Sequence, residues 1–220
     1  MEEIKYKVYY KKIKSSLITI EPDGEVIIKV PLGTGENEID DIVRRKSKWI
    51  RSKKELLESR KKLNCDEIMY LGEIYKLNII IQPYLKMEFV IDHNKTFIIN
   101  TISKERGNKV LEKYLREKCK EVVYKKVDKY RKYFPSEPKE VKVKEQKKRW
   151  GSCTYDNRIF LNWKLIMGRE LALEYVVVHE MCHMVHKNHS KQYWELVGKI
   201  MSSYKEEHNW LKDNGYLMNV

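Results

Sequence analysis

Most of the histidines in this 220-residue chain fall in one short stretch, at positions 179, 183, 186 and 189. His179 and His183 are four residues apart, so an α-helix places both imidazoles on one face, one turn apart. Glu180 follows the first of them and lies at the flank of the pair. The stretch is therefore expected to fold as a helix that gathers metal-binding side chains on one face.

The residues before His179 indicate that this helix is buried. An apolar lead-in begins at Leu171 and includes the consecutive valines 176–178. Because β-branched residues are unusual in an exposed helix, this run indicates burial on most sides. Lys187 and Asn188 are the expected C-terminal residues of the helix, since asparagine tolerates the left-handed conformation that ends helices.

The spacing predicts three metal ligands and one base. Two imidazoles on one helical face can each offer a nitrogen to one metal ion at about 2.0–2.1 Å, and His189 can swing back as the third ligand. Three protein ligands with an open position for water is the pattern of catalytic zinc sites. We predict Zn²⁺ as the cofactor, held by His179, His183 and His189, although imidazole also suits iron, nickel or copper. Glu180 is the predicted general base, and His186 is interpreted as a neighbour of the ligands or a solvated side chain.

The net charge and the cysteine spacing indicate which ligands the protein favours and which compartment it occupies. The net charge is +13, and the lysines are spread along the whole chain. This bias favours nucleic acid, anionic lipid or acidic substrates, or serves solubility alone. We predict no signal peptide and no membrane span, because no apolar run approaches about 18–20 residues. The four cysteines have no C-x-x-C spacing, which is typical of reduced thiols, so a cytoplasmic location is expected.

The first half of the chain is expected to contain antiparallel strands and one long helix. Short alternating or β-branched runs predict strands at 4–13, 17–20, 25–30, 68–82, 87–92 and 96–100. Between the two groups, apolar residues recur about every seven positions and predict an amphipathic helix at 38–63. Its other face is rich in lysine and arginine, and is either solvated or contacts nucleic acid.

The second half is expected to contain the histidine helix together with three further helices and two strands. A second amphipathic helix is predicted at 105–134, followed by strands at 139–147 and 158–165 that form a hairpin directly before the histidine helix. Two short helices are predicted after it, at 190–202 and 205–213. The fold class is therefore α+β, with an N-terminal β-rich region at 1–103 and a C-terminal domain at 104–220.

Further residues outside the histidine stretch are candidates for substrate contact. Trp150, Gly151 and Ser152 lie at the predicted hairpin, where an extended peptide can pair with a strand, main chain to main chain. Gly151 would let that backbone approach closely, whereas core packing is an equally good interpretation of Trp150. A second donor to a developing oxyanion is also expected, and Tyr204 and His208 are the candidates.

Several separated segments together resemble one family. They are RWGSCT, RIFLNWKLI, LEYVVVHEMCHMVHKNHSKQYW and YKEEHNWL, with YLGEIYKL earlier in the chain. In this order they closely resemble the YgjP-like metal-dependent hydrolases, small zincin metallopeptidases related to the SprT-like proteins. The resemblance implies a minimal zincin-like metallopeptidase domain in the C-terminal part, in which an edge-strand hairpin is followed by the H-E-x-x-H helix.

The resemblance also implies site residues and substrate. It assigns the zinc ligands to His179, His183 and His189 and the catalytic base to Glu180, and it implies a peptide or protein substrate. Some members of the family carry a nucleotide pyrophosphatase label, so a metal-dependent nucleotide phosphohydrolase is one alternative. A DNA-associated protein that uses the basic helix 38–63, with a secondary metal site, is another.

Overall fold

A computed structural model of the chain describes residues 4–21, 23–58, 62–82 and 88–219. The strands are β1 (Tyr6–Lys11), β2 (Leu17–Ile20), β3 (Val26–Pro31), β4 (Glu67–Tyr70), β5 (Glu73–Ile81), β6 (Glu88–Ile91), β7 (Thr96–Thr101), β8 (Glu140–Lys144), β9 (Gly151–Cys153) and β10 (Arg158–Asn162). The helices are α1 (Glu36–Glu58), α2 (Lys104–Tyr130), α3 (Glu170–Cys182), α4 (Lys191–Ile200) and α5 (Tyr204–Asn214). Short 3-10 helices lie at Arg131–Tyr133, Trp163–Met167 and Gly215–Leu217. The expected α+β class is confirmed.

Contacts between residues divide the chain into two units, Met1–Lys62 and Leu63–Val220. The sequence placed the boundary after residue 103 instead. The difference arises because Ile68 and Phe97, on strands β4 and β7, are buried in the same hydrophobic core as the helices that follow. Strand periodicity shows which residues of a strand are buried, but not which helices bury them.

In the first unit, β3 is the central strand of a three-stranded sheet. β2 pairs with it antiparallel, whereas β1 pairs with it in parallel. The antiparallel arrangement expected for these strands is therefore wrong for β1. Val26, Ile28 and Val30 of β3 are fully buried, so the strand with the most apolar face lies between two neighbours rather than at an edge.

Helix α1 packs one face in the same core, through Ile39, Val43 and Ile50. Their spacing is that of an amphipathic helix, as the sequence predicts. Trp49, which the sequence placed on the same stripe, is 47% exposed. The exposed side of α1 includes the basic residues Arg44, Arg45, Lys46 and Lys48. Residues 59–61 of the predicted helix lie outside the described part of the chain.

In the second unit, a four-stranded sheet has the order β4-β5-β7-β6. β5 and β7 run parallel, and the other neighbours are antiparallel, so the expected antiparallel meander is wrong at one pairing. A parallel pair needs a crossover connection, and the segment that contains β6 provides it. The predicted turn at Pro83 and the predicted start of a strand at Met87 lie outside the described residues.

The turn between β4 and β5 fastens this sheet to the residues before α3. Leu71 and Gly72 both have positive φ angles, of 51° and 82°, as tight hairpin turns require. Their N–H groups donate to the carbonyl oxygens of Ile166 and Met167, each at 3.0 Å. A Cβ atom on Gly72 would lie 2.8 Å from the Cβ of Arg169, so only glycine allows this approach to the N-terminus of α3.

Helix α2 packs against α3. Leu111, Leu115, Cys119 and Val123 recur every four residues and are fully buried, so one stripe of α2 contributes to the core. The predicted helix 105–134 is observed as α2 with a short 3-10 turn after it. None of the helices that the structure describes combines the length and apolar composition that crossing a bilayer requires.

The second unit contains another sheet, of three strands, which borders α3 and has the order β8-β10-β9. The predicted hairpin is present as the antiparallel pair β9 and β10. β8, which the sequence assigned to that hairpin, pairs with the far side of β10 and runs parallel to it. β9 is therefore an edge strand, and it contacts α3, the helix that contains His179.

Candidate metal centre

Helix α3 holds the first histidine in a rigid setting. Residues 172–178 of this helix are all buried, and α3 packs against α2, α4 and α5. The sequence expected the helix to continue to Lys187 and Asn188, but it ends at Cys182, and His183 is its C-cap residue with right-handed backbone angles. The earlier end leaves the following residues free to turn back toward the helix.

The segment after α3 brings His189 back to the helix. The Lys187 ammonium group donates to the carbonyl oxygen of Thr154 and to the side chain of Asn157, which anchors the loop to the turn after β9. His189 Nε2 then lies 3.2 Å from His179 Nε2. The ring centroids of His183 and His189 are 4.7 Å apart.

The three imidazoles have the geometry of a common ligand set. One nitrogen from each of His179, His183 and His189 lies within 4.8 Å of the others. Two nitrogens bound at about 2.0–2.1 Å to one tetrahedral ion lie about 3.3 Å apart, close to the 3.2 Å found between His179 and His189. The residues present therefore fit a metal ion without rearrangement of the backbone.

Two of the rings form a hydrogen bond on the side away from the cluster, and for His183 this bond sets the tautomer. His183 donates from Nδ1 to the carbonyl oxygen of His186 at 3.0 Å, which leaves its Nε2 free to bind a metal. The Nδ1 atom of His179 is 3.3 Å from the Tyr175 hydroxyl. Burial lowers the pKa of His179 to about 3, helped by the neighbouring imidazoles, and burial also lowers the pKa of His183. Both rings are thus neutral, as metal binding requires.

Aromatic rings stack on two of the three histidines. Tyr193 stacks on His183, with ring centroids 4.6 Å apart, and its hydroxyl donates to the carbonyl oxygen of His179 at 3.0 Å. Trp194 stacks on His189 at 5.5 Å. These contacts hold the exposed His189 ring toward the other two.

Glu180 lies beside the histidines and is almost completely buried, at 5% exposure. A Cβ atom on Gly151 would lie 2.5 Å from Glu180 Oε1, so the carboxyl group occupies the space that a side chain at position 151 would fill. The sequence had interpreted Gly151 as room for a substrate backbone. Burial raises the pKa of Glu180 to about 8, against the opposing effect of the Arg149 charge.

A cavity of about 330 Å³ opens next to Glu180 and His179. His208, one of the two oxyanion candidates, lines it, and its Nδ1 atom is 3.2 Å from the Tyr175 hydroxyl. Tyr204, the other candidate, instead stacks on Trp194 with ring centroids 5.5 Å apart. The structure therefore brings His208 to the cavity and places Tyr204 in the aromatic stack behind His189.

Sequence reasoning overlooked two residues of this site. Tyr175 precedes His179 by four residues, which is the spacing at which helical side chains meet, so the helix periodicity could have identified it. Arg149 lines the cavity from the segment before β9. Its position relative to Glu180 depends on the pairing of β9 with β10, and the linear sequence contains no signal for it.

Comparison with known proteins agrees with the geometry. The sequence model of a family described as YgjP-like, metallopeptidase domain, matches residues 14–214. No curated protein and no solved structure gives a significant match. Because the match covers nearly all of the chain, including the three histidines and Glu180, the chain belongs to the YgjP-like metallopeptidase-domain family.

Proposed function

We propose that this chain is a zinc-dependent peptidase that hydrolyses peptide bonds with Glu180 as the general base. One observation carries the proposal. Nitrogens of His179, His183 and His189 meet within 4.8 Å, and the buried Glu180 carboxyl group lines the cavity beside them.

The donor set favours zinc. Three neutral imidazoles are the ligands of several catalytic zinc sites, and no thiolate or carboxylate joins this cluster among the described residues. When bound, zinc supplies Lewis acidity that polarises a carbonyl group and lowers the pKa of water to about 7. His179, His183 and His189 would hold the ion.

Glu180 moves the proton in the proposed reaction. Its carboxylate accepts a proton from the attacking water as the carbonyl carbon is attacked, and then passes that proton to the leaving amine nitrogen. The burial that raises its pKa to about 8 suits both steps, because the group gains and loses a proton near neutral pH.

A chain of hydrogen bonds supports His208 as the donor to the oxyanion. If His179 binds the metal through Nε2, its proton is on Nδ1 and is donated to the Tyr175 oxygen, 3.3 Å away. The Tyr175 hydroxyl then donates to His208 Nδ1 at 3.2 Å. His208 consequently carries a proton on Nε2 that it can donate at the wall of the cavity.

The edge strand β9 supports an extended peptide as the substrate. Asn162 N–H donates to the carbonyl oxygen of Trp150, and Thr154 N–H donates to that of Arg158. In an antiparallel pair the intervening residues Gly151 and Cys153 then direct their N–H and C=O groups away from β10, toward the open edge. A substrate strand can pair with these groups next to Glu180.

Hydrolysis of casein-type substrates by the zinc-loaded protein tests the proposal. Glu180→Gln should retain stoichiometric zinc and lose activity by about 10²–10⁴-fold, because the base is removed while the ligands stay. A zinc-loaded Glu180→Gln protein that hydrolyses casein at the wild-type rate would remove the base from the mechanism. Nucleoside triphosphates are assayed in parallel, and their hydrolysis without peptide hydrolysis would favour the phosphohydrolase instead.

A further inference from the structure

A second cavity, of about 500 Å³, lies beyond the N-terminal end of β9. Its walls contain the basic residues Lys147, Lys148, Arg149 and Lys164. Arg149 and Trp150 line this cavity and also the cavity that contains Glu180. The basic cavity is therefore adjacent to the candidate active site and shares a wall with it.

The segment that carries these basic residues is held in place. The Asn162 side-chain amide donates to the carbonyl oxygen of Gln146 at 2.8 Å and to that of Arg149 at 3.3 Å. The Trp150 indole lies so close to the backbone of Gly215 that a Cβ atom there would be 2.8 Å from Cζ2. Lys147 and Lys148 thus project from a backbone fixed on both sides.

The positive charge of the cavity is not balanced by the protein. Glu145 is the acidic residue in its wall, and this carboxylate already contacts Arg116 at 3.4 Å and Lys164 at 3.8 Å. Within the described ranges, Lys147, Lys148 and Arg149 form no ion pair. Three exposed cations on a fixed segment next to a cavity are an arrangement that recognises an anionic group.

The position of the cavity connects it to the edge strand. Residues 145–150 cross over the C-terminal end of β10 from β8 to β9, so the basic residues lie at the end of the sheet where β9 begins. A peptide paired along the open edge of β9 would pass Arg149 and place its side chains in the basic cavity. A nucleic acid needs basic residues in a line along its backbone, whereas these four converge on one cavity.

We propose that Lys147, Lys148, Arg149 and Lys164 form a subsite for acidic side chains of the peptide substrate. This inference rests on the proposed peptidase function and adds the class of substrate, a peptide with glutamate or aspartate close to the cleaved bond. Either residue fits the subsite, because both carry the carboxylate group that the four basic residues would bind.

Binding of a labelled peptide to the zinc-loaded Glu180→Gln protein tests the subsite without cleavage. The probe contains three consecutive glutamates between alanines and glycines, and its neutral analogue has glutamines in their place. Reversing Lys147→Glu and Lys148→Glu together should weaken the acidic peptide about tenfold at low salt and leave the neutral peptide unchanged. The matched control reverses Lys109 and Lys113, which are exposed on α2, and should change neither affinity.

Three results would overturn the subsite. They are equal affinity for the acidic and neutral peptides, equal weakening by the control pair, or tighter binding of a single-stranded oligonucleotide of the same charge that also depends on Lys147 and Lys148. Cleavage of a peptide library by the wild-type protein separates this inference from the peptidase proposal. If nothing is cleaved but the lysine-dependent binding is found, the peptidase function fails while the anionic site stands.

Discussion

Two glutamates on the same helix differ in what surrounds them. Glu174 and Glu180 are both buried on α3, at 3% and 5% exposure. Although burial alone would raise the pKa of Glu174, hydrogen bonds from Lys126, Lys129 and Tyr130 lower it to about 2. Among the residues that the structure describes, Glu180 has no such partners, and burial raises its pKa to about 8 against the effect of Arg149.

The comparison shows that two similarly buried carboxyl groups differ in pKa because of their hydrogen-bond and ion-pair partners, and not because of burial. Glu174 is fixed by Lys126 at 2.6 Å, by Lys129 and by the Tyr130 hydroxyl, all of which come from α2. It joins α3 to α2, and its oxygens are occupied. Glu180 meets the backbone of β9 at Gly151 and faces a cavity, so its oxygens are available for proton transfer.

The largest effect on stability is expected from Glu174. Glu174→Gln leaves the ammonium groups of Lys126 and Lys129 without their shared carboxylate, and should cost about 3 kcal/mol of unfolding free energy. Glu180→Gln separates no such ion pair, so we expect no comparable loss. Urea unfolding of the metal-free proteins measures both, and equal destabilisation by the two substitutions would contradict the comparison.

Glu170 is a matched control for Glu174. It also contacts Lys126, at 2.5 Å, but its side chain is 59% exposed. Exposed ion pairs contribute only about 0–1 kcal/mol, so Glu170→Gln should change the unfolding free energy much less than Glu174→Gln does. Activity per folded molecule should remain at the wild-type level in both variants.

The pH dependence of stability sharpens the comparison. The pKa of Glu174 is near 2 in the folded protein and near 4.5 as its ordinary value, so its contribution is present above pH 4.5 and is lost as the pH falls toward 2. The wild-type protein should therefore lose its stability advantage over Glu174→Gln through this window. Thermal unfolding of both proteins between pH 2 and pH 6 measures the difference, and a constant gap would contradict the assignment.

A smaller effect, on catalysis alone, is expected from Tyr175. Tyr175→Phe removes the hydroxyl that links His179 to His208 and should reduce kcat about tenfold while zinc stays bound. His208→Ala should reduce kcat through the same link, so the double variant should be no worse than His208→Ala alone. Multiplicative losses in the double variant would show that the two residues act independently.

The sequence predicted the convergence of the histidines better than it predicted the sheets. Four-residue spacing is a local property of a helix, and it placed His179 and His183 together without further information. The end of α3 was wrong because the N–H groups of Met184 and Val185 donate to carbonyl oxygens three residues earlier, those of Met181 and Cys182, instead of continuing the four-residue pattern of an α-helix. The sequence of this segment contains no signal for that change. The parallel pairing of β1 and β3 was missed because nearest-neighbour hairpins are the default expectation for short strands.

The contrast between the two glutamates could not be predicted from the sequence. The partners of Glu174 lie more than forty residues away along the chain, and their alignment depends on how α2 packs against α3. The space for Glu180 depends on a glycine in β9, which sequence reasoning had assigned to substrate approach. Which buried carboxylate is paired depends on long-range packing, and local sequence patterns carry no information about that packing.

Zinc stoichiometry tests the central claim most directly. His189 and His186 lie three residues apart in the same segment, but only His189 offers a nitrogen to the cluster, while His186 contributes its backbone carbonyl oxygen. We expect one zinc per wild-type chain, one per His186→Ala chain and a substoichiometric amount in His189→Ala. Full zinc occupancy in His189→Ala, or equal loss in both variants, would contradict the three-histidine site.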